Sequence, residues 1–329
     1  MLKYILKRIG ISILLLLGVS FILYALLRCM PTDFVEQKII ALATSGNTVT
    51  DEFKEALYKA YGLNGNIVQG YFNWLGNICR LDFGNSFKSQ RPVLQEIFSA
   101  DRMGTSFIVA AIATVFEFLI AIPLGITAAT HQYSFRDYLV TVLVLIGISL
   151  PSFFFGQLLK GVFANTLGWF PPEGMFDAGI THTNIFEWIS DYAAHLFLPV
   201  LTVVILSIGS RMRMTRTNML EVLNSDYIRT ARAKGLPENK VIYKHAFRNT
   251  LIPLVTSLAG LIPGLFSGAM ITESVFKLSG IGQYALEAMQ MGDIPVIMTY
   301  NMFLALLSVT GVLLSDLMYA VVDPRVKLA

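Results

Sequence analysis

Six apolar stretches constrain this chain more than any other feature: residues 9–27, 105–130, 138–165, 195–210, 250–272 and 296–322. A helix needs about 20 apolar residues to cross the hydrocarbon of a bilayer. Backbone polar groups placed there must be satisfied within the protein, which a helix does for itself. The expectation is an all-α membrane protein with six transmembrane helices. The fourth stretch is short and contains Pro199, so its upstream end is expected within residues 191–198. With 54% hydrophobic and 14% charged residues, the bilayer is the first solvent to consider.

Lys3, Lys7 and Arg8 precede the first stretch, as basic residues precede the apolar core of a signal peptide. No small-residue cleavage site follows, and Arg28 beside Cys29 spoils a lipoprotein-type box. Residues 1–30 therefore read as a retained first helix.

Orientation is expected to follow lysine and arginine in the short loops, which resist translocation. Residues 166–194 contain neither and carry Glu173, Asp177, Glu187 and Asp191. Residues 211–249 hold Arg211, Arg213, Arg216, Arg229, Arg232, Lys234, Lys240, Lys244 and Arg248 against three acids. That loop is expected in the cytoplasm with both chain termini. Residues 31–104 then form a long extracytoplasmic loop or cap, and residues 105–329 a core domain of five spans. A helix is expected near 51–61, where Phe53, Ala56, Leu57 and Ala60 repeat at helical spacing before Gly62. The cap reads as packing on the span ends and as a docking surface for an extracytoplasmic partner.

Several classes of function find no support. No GxxxxGK[ST] phosphate cradle, HExxH metal motif or GxSxG nucleophile elbow occurs. Two cysteines give neither a disulfide framework nor metal-ligand spacing, and a net charge of +3 is small for a nucleic-acid partner. No catalytic residue, bound metal or cofactor is expected.

The punctuation between the fourth and fifth spans is the most legible local signal. Ser225 or Asp226 can cap a helix that runs for about two turns until Gly235 ends it. A second helix can begin at Pro237 and Glu238 and continue through His245 and Arg248 into the fifth span. Small Ala231 and Ala233 beside Arg229, Arg232 and Lys234 suit insertion into a groove of a soluble partner, and equally a basic loop held at anionic lipid.

Within the membrane, Gly260, Gly264 and Gly268 recur every four residues and would share one helix face, for helix packing or a backbone-lined path. Glu117 lies deep in the second span, where an ionisable group must pair or face water. Glu273 and Asp293 are placed near the outer mouth and Asp316 in the last span, as path, interface or packing residues. Pro123, Pro151, Pro199 and Pro263 are expected to kink their helices.

The chain resembles the transmembrane subunits of ABC importers, in the dipeptide, oligopeptide and nickel branch and of its first-permease type. The resemblance spans almost the whole chain. It is carried by Tyr61-Gly62-Leu63, Leu81-Asp82-Phe83-Gly84 with Ser86, and Ser149-Leu150-Pro151-Ser152-Phe153. It continues through Asp226-Tyr227-Ile228, Ala231-Arg232-Ala233-Lys234-Gly235-Leu236 and Arg248-Asn249. Glu273 with Phe276, Gly280-Ile281-Gly282, Asp293 with Pro295, Tyr319 and Asp323-Pro324-Arg325 complete it. In that family the cytoplasmic loop carries an EAA-like signature ending in glycine. Ala231 and Gly235 match it, whereas Arg229 replaces its glutamate and Thr230 its first alanine.

The resemblance implies a type I importer permease fold. It also implies a coupling helix made by Asp226, Tyr227, Arg229, Thr230, Ala231, Arg232, Lys234, Gly235 and Leu236. The implied partners are a homologous second permease, two ATPase subunits that hold ATP and Mg, and an extracytoplasmic binding protein. The cargo would be a peptide, with oligopeptides favoured; nickel chelates and other small solutes stay open. A carrier driven by an ion gradient would instead need paired inverted repeats and coupling carboxylates at mid-membrane, which the sequence does not display.

Overall fold

The computed structural model describes residues 2–30, 33–45, 49–177, 179, 184–267 and 269–322. The chain opens with α1 (Leu2–Arg28), followed by four shorter helices: α2 (Phe34–Thr44), α3 (Asp51–Ala60), α4 (Ile67–Cys79) and α5 (Val93–Ile97). Next come α6 (Ala100–Thr130), α7 (Phe135–Ser149) and α8 (Ser152–Leu159), which runs on as a π-helical turn over Lys160–Thr166. The long α9 (Ile185–Leu223) leads to α10 (Asp226–Ala233) and α11 (Glu238–Lys240), which is extended by a second π turn, Val241–Phe247. The chain closes with α12 (Arg248–Ala259), α13 (Leu261–Ser267), α14 (Met270–Val275), α15 (Ile281–Met291) and α16 (Ile294–Val322).

Four of these helices, α1, α6, α9 and α16, are long and apolar enough to cross a bilayer unbroken. The third expected span is a bent pair: α7 and the α8 segment meet at 101°. The break falls at Leu150-Pro151, where proline removes a backbone donor and pushes the preceding residue out of helical geometry. The fifth expected span is divided into α12, α13 and α14, with breaks at Gly260 and before Met270. By contrast, the fourth is longer than its apolar signal, because α9 continues 13 residues past residue 210 to Leu223 through Arg211, Arg213 and Arg216.

Charged groups on α9 are matched from its neighbours. Arg211 Nε donates to Glu117 Oε1 on α6 at 2.9 Å. Arg216 makes a two-point pair with Asp137 on α7 at 3.0 and 2.9 Å. Arg8 on α1 pairs with Asp316 on α16 at 2.8 Å. Ionisable groups at bilayer depth are tolerated when paired in this way.

The short helices after α1 form a cap. Asp33, Thr50 and Asn66 cap α2, α3 and α4 by accepting from the N–H of Glu36, Phe53 and Val68. Their apolar residues Val35, Leu63, Tyr71, Val93 and Ile97 join Tyr24 and Leu27 of α1 and Ile281, Ala285 and Ile297 of α15 and α16 in one core. Tyr71 donates to Leu17 O at 3.1 Å. Leu17 lies 11 residues before Arg28, so α4 reaches about 16 Å down the side of α1.

Candidate functional site

At the end of α9 the chain turns through Asn224 and Ser225 into α10. Ser225 has the extended backbone of an N-cap, but its hydroxyl donates to Val222 O rather than capping α10. Among the eight residues of α10, Ile228 is completely buried and Ala231 nearly so, one turn apart on the same face. They pack with Ile126 and Ala129 of α6, Met219 of α9, and Val241 and Ala246 of the second π turn.

The opposite face carries Asp226, Tyr227, Arg229, Thr230, Arg232 and Ala233, all exposed, followed by exposed Lys234. Leu236 is half-buried against the same core that holds Ile228. One expectation is thereby corrected. Ala231 does not present its methyl outward for insertion into a partner; together with Ile228 it seats α10 on its own bundle.

Gly235 ends α10 in the left-handed region, with φ +74°. An L side chain is strained there, whereas glycine is not. Across that turn Arg232 makes a two-point pair with Glu238 at 2.7 and 3.3 Å. The Arg232 guanidinium holds the Glu238 carboxyl below the usual carboxylate range, and Glu238 in turn raises Arg232. Arg229 is left 72% exposed, with a 3.5 Å contact to Asp226. The result is a small rigid helix-turn unit, fastened underneath by apolar contacts and presenting a polar, mainly basic face.

The cap end is built differently. Glu273 is fully buried. Its Oε1 accepts from Ser106 Oγ at 2.7 Å and from Ala269 N, and its Oε2 from Gln283 N at 2.9 Å. Ser106 Oγ also accepts from Ile281 N at 2.8 Å. A Cβ at Gly280 would collide with the Glu273 carboxylate, which is the physical reason for glycine there. Glu273 is thus a carboxylate at the N-terminus of α15, where backbone donors are otherwise unpaired. Asp293 is also buried, and its Oδ2 accepts from Ser86 Oγ at 2.6 Å and Lys88 N at 3.2 Å, tying the cap to the α15–α16 junction. Both residues fasten the fold.

Sequence reasoning missed three of these features. Lys160, buried in its π turn, donates to Glu173 at 2.5 Å and to Val275 O at 3.1 Å, and Lys277 reaches Glu173 at 2.6 Å. The two lysines lower the Glu173 carboxyl, Lys160 the more strongly. Asp177, Asp191 and His195 place three potential metal-donor atoms within 4.8 Å of one another. Each imidazole nitrogen already faces one of the carboxylates, at 2.9 and 3.7 Å, which makes the group a tie between the loop and α9. The third is Ser106, the partner of Glu273. Glu173, Asp177 and Asp191 stand out in the sequence only as loop acids, and a lysine inside an apolar run is the signal that could have found Lys160.

Of the glycine series, Gly268 lies outside the described residues. Gly260 and Gly264 do not share a continuous helical face, because the chain breaks at Gly260 between α12 and α13. Gly264 instead faces a cavity of about 190 Å³ shared with Glu117 and Thr114 of α6. Ser149 and Pro151 stand at the α7–α8 bend, where Ser149 Oγ donates back to Leu145 O at 2.7 Å.

Broken and unbroken apolar helices around paired charges, with a small polar helix at one end, describe a polytopic membrane protein. Two sequence profiles specify it further: "Binding-protein-dependent transport system inner membrane component" matches residues 121–328, and the corresponding N-terminal component matches residues 1–121. The chain belongs to this family of inner-membrane components. It is 35% identical to the oligopeptide transport system permease protein AppB of Bacillus subtilis, covering 99% of this chain and all of that one. It is 32% identical to the dipeptide transport system permease protein DppB of Alkalihalophilus pseudofirmus, over 99% of this chain and all of that one. Among solved structures, an inward-facing MetNI methionine ABC transporter chain matches with a TM-score of 0.53 at 16% identity, covering 67% of this chain and 94% of that one. That likeness gives the type I importer permease fold.

Proposed function

We propose that this chain forms half of the membrane path of an ATP-driven importer for peptides, oligopeptides first, and that α10 is its docking point for an ATPase subunit. A homologous permease supplies the other half, two ATPases bind ATP and Mg, and an extracytoplasmic binding protein delivers the cargo. The named substrates of the relatives support the peptide reading. The α10 end and both termini face the cytoplasm, consistent with the concentration of lysine and arginine in residues 211–249.

The observation that carries the reading is the two-faced construction of α10, with Ile228 and Ala231 held by α6, α9 and the second π turn while Arg229, Thr230 and Arg232 remain exposed. A push on that exposed face reaches α9 and α6 through side-chain packing, which transmits displacement because cores are dense. The chain itself supplies no hydrolytic chemistry in this account; its work is to move.

Tagged chain co-expressed with its partner permease and ATPases is expected to purify as a complex whose ATP hydrolysis rises when binding protein and peptide are added. Recovery of well-expressed chain without any ATPase would overturn the reading.

A further inference from the structure

Among the described residues, Glu117 is the one ionisable residue lining the cavity beside Gly264. The other lining residues are Thr114 and small or aliphatic side chains, among them Ala110, Val203 and Leu261. At about 190 Å³ the cavity is more than ten times the ~10–15 Å³ that one water needs. Glu117 is itself more than nine-tenths buried. Its Oε1 accepts from Arg211 Nε, while its Oε2 has no hydrogen-bond partner among the described residues.

A carboxylate offers about four acceptor positions. Leaving most of them empty in an apolar wall is costly unless water or a ligand occupies them. We infer that this cavity is a passing-place for an ammonium group of the cargo, taken by Glu117 Oε2 while Arg211 holds the other oxygen. The inference rests on the peptide-import reading and specifies chemistry within it.

The arrangement suits transit rather than capture. Arg211 offsets the charge of Glu117, so the pair as a whole is neutral and does not trap a free cation. One charge-assisted hydrogen bond from an ammonium is strong enough to orient a peptide and weak enough to release it, which conduction requires. Thr114 offers a second acceptor in the same wall. The ammonium can come from a peptide's amino terminus or from a lysine side chain.

The test uses the complete importer in proteoliposomes with its binding protein and ATP. Uptake is compared for a neutral peptide with a free amino terminus, its N-acetyl form, and an N-acetyl form with one internal lysine. Glu117→Gln is expected to lower the maximal uptake rate of the free-terminus peptide about tenfold, the size of one charge-assisted hydrogen bond. The KM should stay unchanged because capture belongs to the binding protein, and the neutral N-acetyl peptide should be spared. Loss for the lysine peptide as well would make any ammonium a ligand; sparing it would confine the subsite to the amino terminus. Equal loss for all three peptides would reduce Glu117 to a partner for Arg211 and overturn the inference.

Should Glu117→Gln fail to assemble, Gly264→Leu supplies the second arm. A Cβ at Gly264 meets nothing within 4 Å, so the leucine enters open space and leaves the Glu117–Arg211 pair intact. Uptake of every peptide should fall while binding-protein-stimulated ATP hydrolysis persists, and unchanged uptake would overturn the placement. A wild-type importer that moves none of the peptides would count against the functional reading instead.

Discussion

At the cap end, Glu273 and Asp293 are buried and their carboxylates are fastened to hydroxyl and backbone donors of residues far away in sequence. At the α10 end, the charged groups stand in solvent, and among the described residues Arg229 and Arg232 pair only with Asp226 and Glu238 within the same helix-turn unit. The difference follows from what each end has to do. Buried carboxylates held by several donors are costly to release and hold one geometry. An exposed basic face gains almost nothing from its own pairs and remains available to another surface.

If that contrast is right, the largest effect comes from Glu273→Ala. It leaves the N–H of Gln283 and the Ser106 hydroxyl without their acceptor and should cost about 3 kcal/mol or more. Thermal unfolding of the purified protein would show a lowered Tm; an unchanged Tm would mean that the cap end is not locked as described. Ile228→Ala removes the buried anchor of α10 and should cost about 2–3 kcal/mol, confined to that end. Hydrogen exchange should then quicken over residues 226–236 and stay slow in α15.

Gly235→Val forces a β-branched residue into the left-handed region, a strain of about 1–2 kcal/mol. Nothing lies within 4 Å of a Cβ there, so the effect is on turn shape and not on packing. Membrane insertion should be normal while coupled transport is lost, measured as ATP hydrolysis that no longer drives uptake. The smallest effect is that of the Arg232–Glu238 pair. The folded-state pKa of Glu238 is depressed, so its contribution is present above the ordinary carboxylate range and lost as the pH falls through the folded value. With both side chains about half exposed, it is worth less than about 1 kcal/mol, and Glu238→Gln should leave Tm nearly unchanged at neutral pH.

Local features were legible in the sequence. α3, the extent of α10 and its stop at Gly235 all depend on neighbours within a few residues. Hydropathy marked the spans but not their continuity. Charged α9 stays helical past residue 210 because Glu117 and Asp137 neutralise Arg211 and Arg216, whereas apolar residues 250–272 divide around Gly260 and the residue before Met270. Glu273 could be placed near the outer mouth, but its donor Ser106 lies 167 positions away, and no local pattern joins them. Ala231 was misplaced because its size suits both an inward seat and an outward contact, and only the neighbours of Ile228 decide between them.

Site-directed cross-linking of the assembled importer tests the docking claim most directly. With Cys29 and Cys79, both exposed, replaced by serine, single cysteines are placed at Thr230→Cys on the outer face of α10 and at Glu52→Cys on the cap. A short bifunctional thiol reagent should join the Thr230→Cys chain to an ATPase subunit and leave the Glu52→Cys chain unlinked to it. An intact complex in which Thr230→Cys reacts freely with soluble thiol reagents and never links to an ATPase would contradict the account.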